Sequence, residues 1–210
     1  MTSNTFTEIP VINIEGLFND AIEARLKVAE DMGKAARDVG FLYVVGHGIP
    51  AKKIAALRDA AKRFFAQSGA EKMKYYIGSS ATHKGFVPEG EEIYGTGKPD
   101  KKEAYDVGFP APDDHPLVQA NTPLIGQNEW PELENFKTPV LDYYETLFAL
   151  GKTLFSGFAL ALGLPEDHFD SMISCPPSKL RLIHYPFDEN AEDRPGIGAH
   201  TDYELSLIHI

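Results

Sequence analysis

The chain has 210 residues, of which 43% are hydrophobic and 24% are charged, as in ordinary soluble globular proteins. Its formal net charge of −11 argues against nucleic acid and anionic membranes as partners, because both bind basic surfaces. The single cysteine excludes an internal disulfide and a cysteine-based zinc or iron–sulfur centre. Residues 1–9 lack a secretory-signal pattern and no apolar run has membrane-spanning length, so we expect a cytoplasmic protein.

The first third of the chain alternates short apolar strands with amphipathic helices. β-Branched residues at 9–14 predict a strand. Apolar residues at helical spacing over 21–39 predict a helix, and Gly40 suits the left-handed position that ends it. The continuous apolar run 41–45 predicts a buried strand, and a second amphipathic helix is expected after Pro50.

Residues 78–135 have a different character, because apolar periodicity is weak there and Gly, Pro, Asp, Glu and Tyr are frequent. Long irregular stretches of this kind are commonly functional loops or disordered segments. Short extended pieces are expected only at 84–88 and 105–109. No shift in composition marks a domain boundary.

The last third begins with the clearest helix of the chain. Thr138 is a good N-cap and Pro139 a good first residue, and the apolar spacing extends the helix to Gly163. Pro165 predicts the start of a short second helix. Residues 180–185 alternate imperfectly and predict a strand.

A His-x-Asp motif lies near the end of the chain, within the run 197–203. On a strand, His200 and Asp202 point to the same face, because side chains two residues apart do so. An imidazole and a carboxylate are two of the three ligands in the facial triad that binds non-haem Fe(II). The motif alone is weak, but small residues precede it and Tyr203 follows it, which favours a metal site.

No other histidine is an obvious third ligand. His209 has odd parity relative to His200, so on an uninterrupted strand it points to the opposite face. His184 is expected to be packed or hydrogen-bonded rather than a ligand. His47 is expected to be a capping or turn residue, and His83, His115 and His168 are expected to be solvated.

Several segments, taken together and in chain order, resemble the isopenicillin N synthase-like family of Fe(II)- and 2-oxoglutarate-dependent dioxygenases. The strongest is Gly-Phe-Leu-Tyr-Val-Val-Gly-His-Gly-Ile at 40–49. The others are 9–13, 64–65 with 71–74, 84–86, 102–105, 180–186 and 198–203. Each is weak by itself, and their order makes the resemblance specific.

The resemblance implies an α+β fold, with a double-stranded β-helix (jelly roll) wrapped by N-terminal helices. Residues 1–135 would form the N-terminal dioxygenase region of helices, first strands and linker. Residues 136–210 would supply the long helix and the start of the jelly-roll core. That core is expected to be incomplete in this chain.

The resemblance also assigns site residues. It implies that His200 and Asp202 bind Fe(II), and that Tyr185 holds the carboxylate of 2-oxoglutarate. Arg181 and Tyr203 lie where some members contact substrate or co-substrate, although a surface ion pair is an equally good expectation for Arg181. No side chain is singled out as a proton-transfer catalyst.

Two departures from the family pattern stand out. Ile183 occupies a position where many plant members carry Asn, which puts substrate-side hydrogen bonding in doubt. The distal histidine and the Arg-x-Ser that anchors 2-oxoglutarate are expected several tens of residues beyond His200, whereas the sequence ends at Ile210. Residues 206–210 also fit the family poorly. We therefore expect the front part of a longer enzyme, with little or no turnover of 2-oxoglutarate by residues 1–210 alone.

The implied reaction oxidises a small molecule with Fe(II), 2-oxoglutarate and O₂, releasing succinate and CO₂. Some bacterial members form ethylene and succinate instead, and the acidic stretch 88–92 offers a minority hypothesis of a cationic substrate. A non-catalytic relative that binds a small molecule and a zinc hydrolase are the alternatives. Partners are expected to be small molecules, without nucleic acid or membrane, and the full-length protein is expected to be a monomer.

Overall fold

The structure is a computed structural model that describes residues 7–94 and 98–187, together with residues 189 and 196. The α-helices are α1 (Ile22–Asp38), α2 (Ala51–Phe65), α3 (Gly69–Met73), α4 (Pro116–Gln119) and α5 (Lys137–Ala161). The strands are β1 (Val11–Asn13), β2 (Tyr43–Val45), β3 (Gly85–Val87), β4 (Ile93–Tyr94), β5 (Lys98–Pro99), β6 (Glu103–Gly108) and β7 (Lys179–His184). Short 3₁₀ turns lie at Glu15–Phe18 and Ile77–Ser79.

The chain forms two compact units, and each is built from two separate segments. The first unit contains Met1–Ala60 and Lys137–Pro176, and the second contains Ala61–Phe136 and Pro177–Ile210. The chain passes from the second unit to the first between Phe136 and Lys137, close to the boundary expected between residues 135 and 136. The division into an N-terminal region and a jelly-roll core concerns the family's organisation and stays a prediction.

In the first unit, α1 and α5 pack against a short parallel sheet. β1 and β2 pair in register, with Ile12 opposite Val44. Small residues let the two helices approach closely: a Cβ added to Gly157 would lie 3.1 Å from the sulfur of Met32. The core of this unit consists of Ile14, Leu17, Val28, Met32, Leu150 and Leu154.

The strand predicted at 41–45 forms over Tyr43–Val45, but the prediction that the segment is buried is wrong for three of its five side chains. Phe41, Tyr43 and Val45 are about half exposed. The reason is that side chains alternate between the two faces of a strand, and among the described residues only the face of Leu42 and Val44 packs on a hydrophobic core.

Two local predictions in the last third need correction. The long helix begins at Lys137, so Thr138 lies inside its first turn instead of capping it. The short helix predicted at Pro165 does not form. A series of turns replaces it, with bonds of the type His168 N–H to Pro165 O. Bonds over three residues have poorer geometry than α-helical bonds, so such turns rarely extend into a helix.

The second unit is organised by an antiparallel sheet with the strand order β3-β6-β7. The extended pieces predicted at 84–88 and 105–109 correspond to β3 and to most of β6. Phe86, Tyr105 and Leu182 face one another across the three strands. Gly85, Asp106 and Arg181 form the next row, on the other face, because side chains alternate along a strand.

The first face of this sheet is aromatic. The ring of Tyr105 lies 4.7 Å from that of Phe64 and 5.3 Å from that of Phe136, both edge-on. All three residues are fully buried. The Tyr105 hydroxyl donates to the backbone oxygen of Glu129 at 2.8 Å, and burial raises the pKa of this phenol. These rings hold one side of the sheet rigid.

Gly85 is required where β3 begins. Its φ is +124°, a region that favours glycine, and an added Cβ would lie 2.4 Å from the backbone oxygen of Tyr75. That oxygen accepts the N–H of Phe86 at 2.7 Å, so it cannot move away without losing a hydrogen bond. The absent side chain thus lets the segment before β3 lie against the strand.

The described residues show the α+β character expected from the sequence, but a closed jelly roll is not seen among them and stays a prediction. Among these same residues, no helix is both long and apolar enough to cross a membrane.

Candidate cofactor site

The two predicted iron ligands, His200 and Asp202, lie outside the described residues, as does Tyr203. Within the described part of the chain, no three His, Cys, Asp or Glu side chains lie close enough together to hold a metal ion. The donors that the sequence offers, an imidazole nitrogen and a carboxylate, nevertheless fit the set that non-haem Fe(II) takes. The iron ligands therefore remain predictions.

Tyr185 follows directly after β7, and its ring lies beside Gly196. A Cβ on Gly196 would lie 2.8 Å from a ring carbon of Tyr185, so the glycine makes room for the ring. The side chain is half exposed, and among the described residues its hydroxyl makes no hydrogen bond. A phenol hydroxyl can donate a hydrogen bond to a carboxylate, so Tyr185 suits a carboxylate ligand such as 2-oxoglutarate.

Arg181 is held by two carboxylates on the same face of the sheet as Ile183. Its Nε and Nη2 donate to the two oxygens of Asp106 at 2.7 and 2.9 Å, and its Nη1 donates to Glu92 at 2.7 Å. Asp106 is fully buried and lies directly opposite Arg181 in the ladder. A bidentate pair of this kind fixes both position and orientation of the guanidinium.

Further charges extend this arrangement into one network. Lys179 reaches Asp106 at 3.3 Å, and Lys102 lies 2.9 Å from Glu92 and 2.6 Å from Asp100. Lys102 and Asp100 are buried. Three cations thus alternate with three carboxylates, so that each buried charge has an opposite charge beside it.

The network shifts the pKa values of its members. Burial alone would raise the pKa of Glu92, but hydrogen bonds from Lys102 and Arg181 outweigh it and lower the pKa. For Lys102, burial opposes the charge, yet the bonds to Asp100 and Glu92 raise its pKa. The pKa of Arg181 is likewise raised, against burial, by its bonds to Asp106 and Glu92. All three groups are therefore charged at neutral pH.

We expect Glu92→Gln to lower the free energy of unfolding by about 2 kcal/mol at pH 7, the typical value of hydrogen bonds to charged groups. The folded pKa of Glu92 is lowered, so its contribution is present above the unfolded pKa, near 4.5, and is lost as the pH falls through the folded value. Urea unfolding at pH 7 and at about pH 3 measures this. The gap between wild type and variant should close in acid, whereas exposed Glu89→Gln should show no gap at either pH. A gap that is the same at both pH values would contradict the assignment.

Sequence reasoning missed the carboxylates that hold Arg181. From the sequence, Glu92 is expected only as part of an acidic loop, and Asp106 only as part of an extended piece. A signal was present: Asp106 is a charged residue inside a segment that reads as a strand, and such a residue is stable in a sheet only opposite a cation. Which cation lies opposite cannot be read from the sequence, because Arg181 is 75 residues away.

The predictions for His184 and His47 are confirmed by their contacts, whereas the prediction for His115 needs correction. His184 donates to Glu103 across 2.8 Å and stacks on Phe65. His47 is a turn residue whose Nδ1 accepts the N–H of Ile49. His115 is expected to be solvated, but it is partly buried and caps α4 by accepting the N–H of Leu117.

A family profile described as "non-haem dioxygenase in morphine synthesis N-terminal" matches residues 9–133, more than half of the chain. This range includes the strands β3 and β6 and the segment of Gly and His residues after β2.

Individual relatives agree with the profile. A homoarginine-6-hydroxylase of Oryza sativa subsp. japonica is 34% identical, over 97% of this chain and 65% of its own length. An isopenicillin N synthase of Penicillium chrysogenum is 32% identical, over 100% of this chain and 67% of its own length. The chain thus spans about two thirds of these relatives.

The crystal structure of full-length Neurospora crassa T7H in complex with alpha-KG shares the fold, with a TM-score of 0.78 and 21% identity, over 97% of this chain and 64% of that one. The sequence motifs, the family profile and the relatives agree with one another. The chain belongs to the isopenicillin N synthase-like family of Fe(II)- and 2-oxoglutarate-dependent dioxygenases.

Proposed function

We propose that the protein is an Fe(II)- and 2-oxoglutarate-dependent oxygenase that oxidises a small molecule and releases succinate and CO₂. The observation that carries the proposal is the family match over 9–133, which continues in the relatives across the whole chain. Membership favours an enzyme over a non-catalytic relative. It also favours iron over zinc, because one imidazole and one carboxylate are poorer zinc ligands than a set rich in nitrogen or sulfur.

His200 and Asp202 would hold the metal, which when bound activates O₂ for oxidation of 2-oxoglutarate and of the substrate. His200 binds only with a neutral imidazole, so metal affinity falls in acid. Asp202 supplies a negative charge that favours a higher oxidation state of iron. The Tyr185 hydroxyl would donate a hydrogen bond to a carboxylate oxygen of 2-oxoglutarate and so orient it.

The experiment is an oxygen-uptake assay with Fe(II) and 2-oxoglutarate, with succinate measured in parallel. It is run on the 210-residue chain and on the translation of the source DNA past codon 210. Uptake that requires both additions and is abolished by EDTA would support the proposal. Tyr185→Phe should raise the KM for 2-oxoglutarate by about tenfold, because one charge-assisted hydrogen bond is lost. Absence of succinate from both proteins would overturn the proposal.

Within this activity, we propose a cationic amino acid as the substrate. The relative whose name is homoarginine-6-hydroxylase favours this class. In the acidic stretch 88–92, Glu91 accepts the Tyr76 hydroxyl at 2.6 Å and Glu92 pairs with Arg181. Glu89 is exposed and, among the described residues, has no hydrogen-bond partner, so it is the carboxylate of this stretch best placed to meet a ligand. If replacing Glu89, Glu91 and Glu92 by Gln leaves arginine or homoarginine affinity unchanged, this substrate class is wrong.

Other features of the proposal rest on the sequence. The ethylene-forming variant has no support in the names of the relatives and structure given above, and we do not favour it. A cytoplasmic location, a monomeric state and the absence of nucleic-acid or membrane partners also remain proposals.

A further inference from the structure

A second group of charges lies on the aromatic face of the sheet, away from Arg181, and no part of the proposed reaction uses it. Glu103 and His184 are the last opposed pair of the β6–β7 ladder. The Nδ1–H of His184 donates to one oxygen of Glu103 at 2.8 Å, and the Nζ of Lys72 donates to the other at 2.6 Å.

The three residues differ sharply in exposure. Lys72 and Glu103 are buried, with about a tenth of each side chain exposed, whereas His184 is 45% exposed. Lys72 also donates to the backbone oxygen of Phe65 at 3.3 Å and lies 5.4 Å from the centre of the Phe86 ring. Glu103 is therefore fixed from the interior, and it presents one carboxylate oxygen outward.

The imidazole is held on two sides. Glu103 takes its Nδ1–H, and the ring of Phe65 stacks on it with a centroid distance of 5.3 Å and an angle of 26°. A carboxylate only accepts hydrogen bonds, so the Nδ1 atom carries the hydrogen. A half-exposed side chain held in one orientation loses rotamer freedom, which indicates that its position is specified by these contacts.

His184 is also the last residue of the ladder, and Tyr185 is the next residue in the chain. Successive residues of a strand point to opposite faces, so clamping the imidazole on the aromatic face sets the direction of the Tyr185 side chain on the other. Beyond His184, none of the described residues forms a further rung of this sheet. The contacts of His184 with Glu103 and Phe65 therefore fix the end of β7, where no described residue continues the strand pairing.

We propose that His184, held by Glu103 and Lys72, is a positioning residue that orients Tyr185 toward the carboxylate of 2-oxoglutarate. The proposal rests on the proposed function only in its choice of ligand. The orientation of Tyr185 is a property of the protein alone, and it is measured without cofactor.

The first measurement follows the aromatic NMR signals of Tyr185 without metal or 2-oxoglutarate. His184→Leu removes the donor and should shift these signals. His184→Asn should restore them, because the Asn side-chain amide places a donor near the position of Nδ1. His168→Leu is the matched control, since His168 is an exposed histidine of the other unit, and it should leave Tyr185 unchanged. Unchanged Tyr185 signals in folded His184→Leu would overturn the proposal.

The second measurement is the KM for 2-oxoglutarate and the kcat in the assay described above. His184→Leu and Glu103→Gln should raise the KM by about tenfold, the lower end of the loss seen when residues that orient metal ligands are replaced, with a smaller effect on kcat. His184→Asn should stay near wild type. A merely structural role predicts a lower melting temperature with the KM unchanged, and that result would overturn the proposal. If His184→Leu shifts the Tyr185 signals but neither protein of the assay turns over 2-oxoglutarate, the proposed function is refuted and the positioning role stands.

Discussion

Asp106→Asn should destabilise the protein by about 3 kcal/mol or more, the usual cost of removing one partner from a buried ion pair. Asp106 is fully buried and accepts two hydrogen bonds from Arg181 and one from Lys179. The amide keeps the shape of the carboxylate but not its charge. Two cations would then face one neutral group, and one amide N–H would point at a guanidinium that can only donate. Urea unfolding of wild type and variant at pH 7 measures the difference.

A double substitution separates the ion pair from simple loss of packing. Asp106→Leu alone leaves Arg181 without its main partner, whereas Asp106→Leu with Arg181→Met removes both charges and keeps the volume apolar. The double variant should be more stable than the single one, because well-packed hydrophobic residues often replace a buried pair at little cost. Asp114→Asn is the control, since Asp114 is exposed in the same unit. If Asp106→Asn changes stability no more than Asp114→Asn does, the network contributes nothing measurable.

The parts of this fold that the sequence predicts are those whose pattern is local. The helices α1, α2 and α5 follow apolar spacing over many residues, so their existence and approximate limits are clear before the structure is known. The strands β1, β2 and β7 are short but rich in β-branched or apolar residues. In contrast, β4 and β5 have two residues each, and a pattern of period two needs more residues than that to be recognised.

The charged networks could not be predicted, for a different physical reason. Asp106 meets Arg181 and Glu103 meets His184 only because β6 and β7 pair in one particular register, across more than 70 residues. A slip of one residue would turn every one of these side chains to the opposite face. The sequence contains the charges but not the register, so it cannot tell a buried network from a solvated loop.

The candidate site likewise has features that the sequence predicts and others that only the structure shows. The role of Tyr185 comes from the resemblance to the family, whereas its contact with Gly196 comes from the structure. The spacing of His200 and Asp202 predicts a shared face from strand geometry alone. Glu103 and Lys72 lie in segments that resemble the family, 102–105 and 71–74, but the sequence assigns them no role, because Glu103 acts through its contact with His184 and Lys72 through its contact with Glu103.

His200→Ala and Asp202→Ala should each abolish Fe(II) binding and with it the formation of succinate. Replacement of residues that merely orient metal ligands costs about 10–100-fold in affinity or activity, so loss of a ligand itself should cost more than about 100-fold. Competition with a colourimetric chelator measures Fe(II) affinity, and the succinate assay measures turnover. Because His200 must lose its proton to bind, wild-type affinity should also fall as the pH drops below about 6.5.

Two substitutions in and near the His-x-Asp motif serve as controls. Thr201 lies between the two ligands and would point to the other face of the strand, so Thr201→Ser should bind Fe(II) like wild type. His209→Ala tests the parity argument: on an uninterrupted strand His209 points away from His200, and its removal should leave Fe(II) affinity unchanged. If His209→Ala loses iron as completely as His200→Ala does, the strand contains a bulge and His209 is a ligand. If neither His200→Ala nor Asp202→Ala loses iron, the metal is held elsewhere and the facial-triad assignment is wrong.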